Sequence, residues 1–426
     1  MKQKTIIYLV SRAIRINDNQ ALYLAQKKAL LNSSQLICLF NFYSDFPYAN
    51  IRNMHFLLSG LLEMSQKLKV LNIPLIFKES NIINTLTDLN TIYDITSIIT
   101  EHHVLKPILR NHNLISEYCY SHKIEFYKVN TACVIPVDEA SLKLEYAAKT
   151  IRPKILSKYK SYIQNFYPIQ IHPQQTELES FNQNQFDDFF KQHSFDNLNL
   201  SKLIPGEDAA NRQLQYFIEH GLNNYHIRNE YNSNGQSYLS AYLHFGMLSP
   251  LKMIRDVENT EHKNAPLFVE EALVRRELAE NYCHYCKDYD SITGAWNWAQ
   301  NTLNSHINDK RDYLYTKDEF ENAQTHDDLW NMCQKLIVEE GYLHSYLRMY
   351  WAKMVLYWTD SPQSAIDILI YLNDKYMLDG RDPNGYTGIM WSVAAVHDRP
   401  WFDRPIIGLI RAMGKDGTLK KSKIKL

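Results

Sequence analysis

The 426-residue chain has neither of the common glycine-rich phosphate loops: no G-x-G-x-x-G and no G-x-x-x-x-G-K-[ST] follows its first apolar run, Thr5–Val10. A nucleotide held on such a turn is thereby excluded. Neither charge is in excess, with 46 Lys and Arg against 47 Asp and Glu. No global field draws the protein to nucleic acid or an anionic membrane, so any such site must be local. Long apolar runs are missing too. None approaches the ~18 residues of a bilayer span, and the opening MKQKTIIYLVSR is too short an apolar stretch for a secretory leader. The expectation is a soluble, monomeric, cytosolic protein, nucleoid-associated if the source is a prokaryote. Cysteine is sparse and scattered, six residues in all, which points to a reducing compartment without disulfides. Cys283 and Cys286 form a C-x-x-C with no second pair, inside a segment that reads as helix, so no metal site is expected.

Hydrophobic residues make up 45% of the chain, enough to bury two cores. Five short β-branched or aromatic runs come early: Thr5–Val10, Gln35–Phe42, Ile73–Lys78, Ile95–Thr100 and Ile124–Val129. Between them lie segments of helical spacing, clearest over Met54–Val70. Alternation of this kind predicts a doubly wound parallel sheet over residues 1–155. The stretch 156–205 is polar and rich in Gln, Asn and Phe, and reads as a long surface connection. Residues 206–426 read as all-helical, with helices predicted over Ala209–Gly221, Pro250–Asn259, Pro266–Lys287, Asp327–Trp358 with a break near Gly341, and Pro362–Lys375.

Four features of the helical half go beyond packing. Tyr225-His-Ile-Arg228-Asn229 precedes Gln236-Ser237-Tyr238-Leu239-Ser240, where free N–H groups at a helix start would serve an anion or Ser237 would act as an ordinary N-cap. Glu271 and Arg275 lie one turn apart and read either as a surface i,i+4 pair or as part of a site. Arg348 and Trp351 share a helix face in a segment bordered by Trp330 and Trp358, which taken alone is an aromatic core stripe. From Leu378 to Trp401, glycines, a proline, acids and arginines crowd around Asp379. That composition predicts a tight, non-helical turn with special backbone angles. From Arg399 onward eight Lys or Arg face two Asp, a net of +6.

LVRRELAENYCHY, THDDLW, LHSYLRMYWAKMVLYW, YLNDKYMLDGRDPNGYTGIMWSVAAVHDRPW, EYAAKTIRPKI and SRAIRINDNQALYLA resemble the class II cyclobutane pyrimidine dimer photolyases of the photolyase and cryptochrome family. The resemblance implies an α/β antenna domain, a linker and a helical domain holding FAD, active as the reduced anion. It also implies light-driven electron transfer that splits dimers in DNA, with the lesion flipped out of the duplex. A second chromophore, a deazaflavin or a folate, is implied for the antenna domain, although IITEHHVLKPILRN departs from that domain's usual sequence.

By the same resemblance Ser237, Leu239 and Ser240, with Tyr225 before them, form the turn that cradles the flavin's phosphates, Arg228 and Asn229 bind the cofactor, Arg348 and Asp379 pair beside its ring, and Asn373 faces its N5. Trp351 and Trp330 relay electrons, with Trp358 a further member. Glu271 contacts the bases of the dimer, Met349, Trp391 and Trp401 line the lesion pocket, and Arg399 and Arg411 contact DNA. Some relatives carry Trp-Lys where this chain has Arg275-Arg276. The alternatives are a cryptochrome-like light sensor without repair activity and a light-independent flavoprotein.

Overall fold

The computed structural model describes residues 2–43, 50–174, 178–196 and 198–425. Its first part is a five-stranded sheet, β1 (Lys4–Val10), β2 (Gln35–Phe42), β3 (Leu75–Glu79), β4 (Asp94–Glu101) and β5 (Glu125–Val129). The order is β3-β2-β1-β4-β5 and every neighbouring pair is parallel. β3 begins two residues later than the apolar run, after Pro74, which has no N–H to give to the ladder. The central strand is buried on both faces. Ile6, Tyr8 and Val10 join the core under α1 (Gln20–Leu31) and α2 (Ile51–Val70), and Ile7 and Leu9 join that under α3 (Ile82–Ile92) and α4 (Lys106–His122). The expected doubly wound α/β unit followed by an all-helical unit is the observed fold class.

The polar stretch after residue 155 is more structured than its composition suggests. It forms a helix at Gln183–Gln192, and Phe181 and Phe189 are buried against Phe77 of β3. The Phe181 N–H donates to the Leu75 carbonyl at 2.7 Å. Residues 175–177 and 197 of this stretch lie outside the described residues. Two apolar anchors eight positions apart in a polar background leave no periodicity to read.

The helical unit has two cores. The first is continuous with the α1/α2 face of the sheet and takes in Leu278 and Leu378. The second holds Trp330, Trp351, Trp358 and Met390. The α/β unit and the helices are therefore fastened together rather than merely linked. Arg12 pairs with Glu280 at 2.6 Å, both buried, and Arg15 donates to the Gly246 carbonyl at 2.9 Å. Arg52 of α2 donates to the carbonyls of Val338 (2.7 Å), Glu339 (2.9 Å) and Tyr376 (3.0 Å). It thus caps the C-terminal end of the helix Asp328–Glu340, where orphan carbonyls and the helix dipole favour a cation. Gly341 follows with φ +68°, and a Cβ there would lie 2.6 Å from Arg52 Cδ. That is why the predicted long helix breaks here into Asp328–Glu340 and Ser345–Tyr357. No helix among the described residues is long and apolar enough to cross a membrane, and no group of three or more possible metal ligands occurs among them.

Candidate active site

The helical unit encloses a cavity of about 750 Å³, within the range of cofactor pockets. Fourteen of the residues singled out from sequence line it: Tyr225, Arg228, Asn229, Ser237, Leu239, Ser240, Glu271, Arg348, Met349, Trp351, Asn373, Asp379, Trp391 and Arg411. Trp330 stands behind Trp351, the two rings stacked 6.4 Å apart at 11°, and Trp358 lies 6.2 Å beyond Trp330. Arg399 and Trp401 do not line the cavity. They stand beside Arg411, whose guanidinium lies 4.2 Å from the Trp401 ring.

On one wall Arg348, on the helix Ser345–Tyr357, meets Asp379 with Nη1 3.1 Å from Oδ1. Asp379 sits in the turn after the helix Pro362–Tyr376. Asn373, in the last turn of that helix, is buried, and its amide donates to Asp374 Oδ1 at 2.9 Å. Asp374 also accepts the Arg381 N–H (2.7 Å) and the Tyr386 hydroxyl (2.8 Å), which fixes the turn. The turn is shorter than the composition predicts. Asp382 caps and Pro383 opens a helix over Pro383–Ala394 that absorbs both Gly385 and Gly388, because proline at the first helical position loses no hydrogen bond. The glycines serve close approach instead. A Cβ on Gly385 would lie 2.9 Å from the Asn373 amide, and one on Gly388 would enter open space on the cavity wall.

The opposite wall carries the segment 225–240. Ser237 is not an N-cap, since the helix Ser240–His244 is capped by Leu239 without a side-chain bond. Its hydroxyl accepts the Leu239 N–H at 3.4 Å. Gln236, which opens the 236–240 segment singled out from sequence but was given no role of its own, ties this wall to the other: it donates to the Arg228 carbonyl at 2.6 Å and accepts from the Tyr342 hydroxyl at 3.0 Å.

At the mouth, Glu271 does not pair with Arg275 as i,i+4 spacing predicts. Residues Glu270–Arg275 form a π-turn, whose wider winding makes i and i+5 neighbours, so Arg275 pairs with Glu270 at 3.1 Å. Glu271 faces Arg228 instead, at 3.0 Å, and Arg228 stacks over Tyr225. The basic tail is less free than its charge suggests, for Arg411 is held by Asp398 at 2.8 Å. Burial pushes the Asp398 carboxyl up, but the Arg411 hydrogen bonds outweigh it and leave it below its usual range.

Three buried polar atoms on this cavity have no hydrogen-bond partner among the described residues: Arg276 Nη2, Arg348 Nε and His397 Nε2. Burial, with Arg275 nearby, lowers His397 to about 3, so its ring is neutral. Unmet donors and acceptors at this density are uncommon in a native interior and mark the wall of a ligand site. Thr387, Gly388, His397 and Asp398 all fall within the Leu378–Trp401 segment, which was the available signal. Arg276 and Gln236 were named only as members of their motifs, and Tyr342 had no signal.

A second, smaller cavity of about 170 Å³ lies outside the carboxyl ends of β1, β2 and β4, lined among others by Val10, Phe40, His103, Leu105, Ile108 and His112. This is where strand order reverses, the usual ligand crevice of such sheets.

These walls define a two-unit protein with a large, partly polar cavity beneath an open mouth. The DNA photolyase family profile matches residues 6–170. The chain is 36% identical to the deoxyribodipyrimidine photo-lyase of Potorous tridactylus, covering 99% of this chain and 80% of that one. It is 34% identical to the protein of that name from Methanothermobacter thermautotrophicus, over 98% and 92%. Among solved structures, a bacterial class III photolyase from Agrobacterium tumefaciens superposes with a TM-score of 0.79 at 14% identity, covering 99% and 85% of the two chains. An archaeal photolyase from Sulfolobus tokodaii with two FAD molecules gives 0.73 at 16%, covering 98% and 87%. The chain belongs to the DNA photolyase family.

Proposed function

We propose that this protein is a lyase that repairs cyclobutane pyrimidine dimers in DNA under light, with FAD in the large cavity and the dimer at its mouth. The observation that carries this is that a single cavity has both a cofactor-sized interior with unmet polar atoms and an aromatic and acidic mouth. The name shared by the relatives supports it. The LDGRDPNGY segment supports assignment to the class II branch.

When bound, reduced FAD supplies under light the electron that opens the cyclobutane ring and then takes it back. The residues do the rest. Arg348 offers a fixed positive charge to the reduced anionic ring, and Asp379 orients it. Asn373 is a neutral amide that can hydrogen-bond a ring nitrogen in either redox state, where a carboxylate would repel added charge. Tyr225, Arg228, Asn229, Ser237, Leu239 and Ser240 hold the phosphates. Trp351 and Trp330, with Trp358 behind, pass electrons inward to restore the reduced state. At the mouth Glu271 addresses the bases, and Met349, Trp391 and Trp401 pack against them. The dimer must leave the helix to enter, which costs less for a poorly stacked lesion than for intact bases. Arg399 and Arg411 meet the backbone, Arg411 after exchanging Asp398 for phosphate. For the smaller cavity we propose a second light-gathering chromophore of the deazaflavin or folate class.

The test is dimer loss from a thymine-dimer oligonucleotide with the reduced holoenzyme, in blue light and in darkness. Loss only in light is expected, and no light-dependent loss with flavin bound overturns the proposal.

A further inference from the structure

Two indoles, Trp351 and Trp391, line the same cavity, so proximity alone does not decide which of them gives up an electron. Their electrostatic surroundings differ in kind. Trp391 has the Arg411 guanidinium 5.6 Å and the Lys353 amine 5.8 Å from its ring centre; burial lowers Lys353 to about 7, so it adds its full charge only below that pH. Next to it, Trp401 has Arg411 at 4.2 Å and Arg399 at 4.7 Å. The one anion in the cluster is Asp398, which is bound to Arg411 and accepts the Trp401 indole N–H at 3.4 Å, and so offsets only part of this charge. Lys353 is fully buried and donates to the Ser392 carbonyl. On the other side the pattern reverses. Trp351 donates its N–H to Gln334 at 3.0 Å and Trp330 donates to the Trp351 carbonyl at 2.9 Å. Among the described residues no lysine or arginine lies over Trp351, Trp330 or Trp358.

A cation over an indole steadies its neutral ring and opposes the positive charge that remains when the ring loses an electron. An acceptor on the indole N–H does the opposite. We propose that Arg411, with Lys353 and Arg399, is a positioning charge that keeps Trp391 and Trp401 from being oxidised. Electron supply to the flavin is thereby confined to Trp351, Trp330 and Trp358. This rests on the assignment of FAD to the cavity. In the step concerned, light-excited oxidised flavin is reduced by one electron and one indole is oxidised by one, the last indole being refilled by a soluble thiol. On the permitted side the positive hole moves away from the mouth. On the guarded side it would pass from Trp391 to Trp401 and reach the bases of bound DNA, so the guard protects the substrate from oxidation.

The test uses the holoenzyme with oxidised flavin, flavin content being measured first. Trp351→Phe alone is expected to abolish photoreduction. Adding Arg411→Met should restore it by the wrong route, with oxidised Trp391 and Trp401 found by peptide mass spectrometry. Adding Arg411→Lys, which keeps the charge, should not. Lys353→Met in the same background, assayed at pH 6 where the buried amine, lowered to about 7, keeps its proton, is a second, independent removal of charge. As a flavin-independent readout, a soluble one-electron photo-oxidant, a ruthenium polypyridyl with persulfate, is applied to the full chain. Arg411→Met should raise oxidation at Trp391 and Trp401 by roughly tenfold over that at Trp330. Unchanged oxidation in both methionine variants overturns the proposal while leaving the flavin assignment standing. Full photoreduction in Trp351→Phe alone, or absence of flavin from the unmodified protein, overturns the assignment beneath it.

Discussion

Glu277 offers a sharp test of how the two units are joined. Its carboxyl, on the helix Arg276–Tyr285, accepts the N–H groups of Val134 (2.7 Å) and Ile135 (3.0 Å) through Oε1, while Oε2 is buried without a partner. Burial pushes it up to about 8 from 4.5, against the lowering effect of those two N–H groups. A carboxyl raised on folding holds its proton more tightly in the native state. The stability it contributes is therefore complete below pH 4.5, declines as the pH rises from 4.5 toward 8, and is level above that. At about 1.4 kcal/mol per pH unit, the loss by pH 7 is about 3 kcal/mol. Glu277→Gln keeps an oxygen for the two N–H groups and cannot ionise. An unmet amide N–H costs about 1–3 kcal/mol, but equally at every pH. The difference in unfolding free energy, variant minus parent, should then rise by about 2–4 kcal/mol between pH 5 and pH 8. Urea unfolding at the two pH values measures it. A difference that is the same at both, or that falls with pH, would refute the reasoning.

Three further outcomes are expected. Gly388→Leu should fold normally and lose most of its FAD, measured by flavin absorbance against protein, because the new side chain enters open space on the cavity wall; Gly388→Ala should gain up to about 1 kcal/mol in stability from helix propensity. Glu271→Ala should slow repair at least several-fold with flavin content unchanged, and a flavin-free variant would mean that its contact with Arg228 is structural. Trp351→Phe should retain full repair when the flavin is reduced chemically, and equal loss of repair and photoreduction would contradict the relay.

The sheet was legible because β-branched runs bounded by turn residues leave little choice, and its strands begin and end within two residues of those runs. The longer helices were legible from apolar spacing, unlike Asn297–Ser305 and Lys415–Ser422, which the sequence reading did not name, and the break at Gly341 was legible from a glycine where a left-handed cap is needed. What could not be read was non-local or displaced in register. Nothing in the spacing of Glu271 and Arg275 announces a π-turn, and the partner Arg228 is 43 positions away. The turn around Asp379 was read as longer than it is, because Gly385 and Gly388 count as helix breakers by propensity. Here a proline and a capping aspartate start the helix, and the glycines make room for Asn373 and the cavity. Fourteen named residues do share one cavity, whereas the unmet Nε2 of the neutral His397 and the burial of Arg276 emerge only in three dimensions.

The π-turn at Glu270–Arg275 is, in effect, one surplus residue in an otherwise regular helix. Removing a single residue between Glu270 and Arg275 would leave length, charge and hydrophobicity almost untouched. The surplus is absorbed within the turn, so its removal would close the helix to regular α-winding with the segments on either side still in phase. Glu277 and Glu280 would keep their hold on the α/β unit, while the bulged residues, through which Glu271 reaches Arg228, would be drawn back into the helix. The direction in which the mouth's acid points is thus set by a count of residues within one turn.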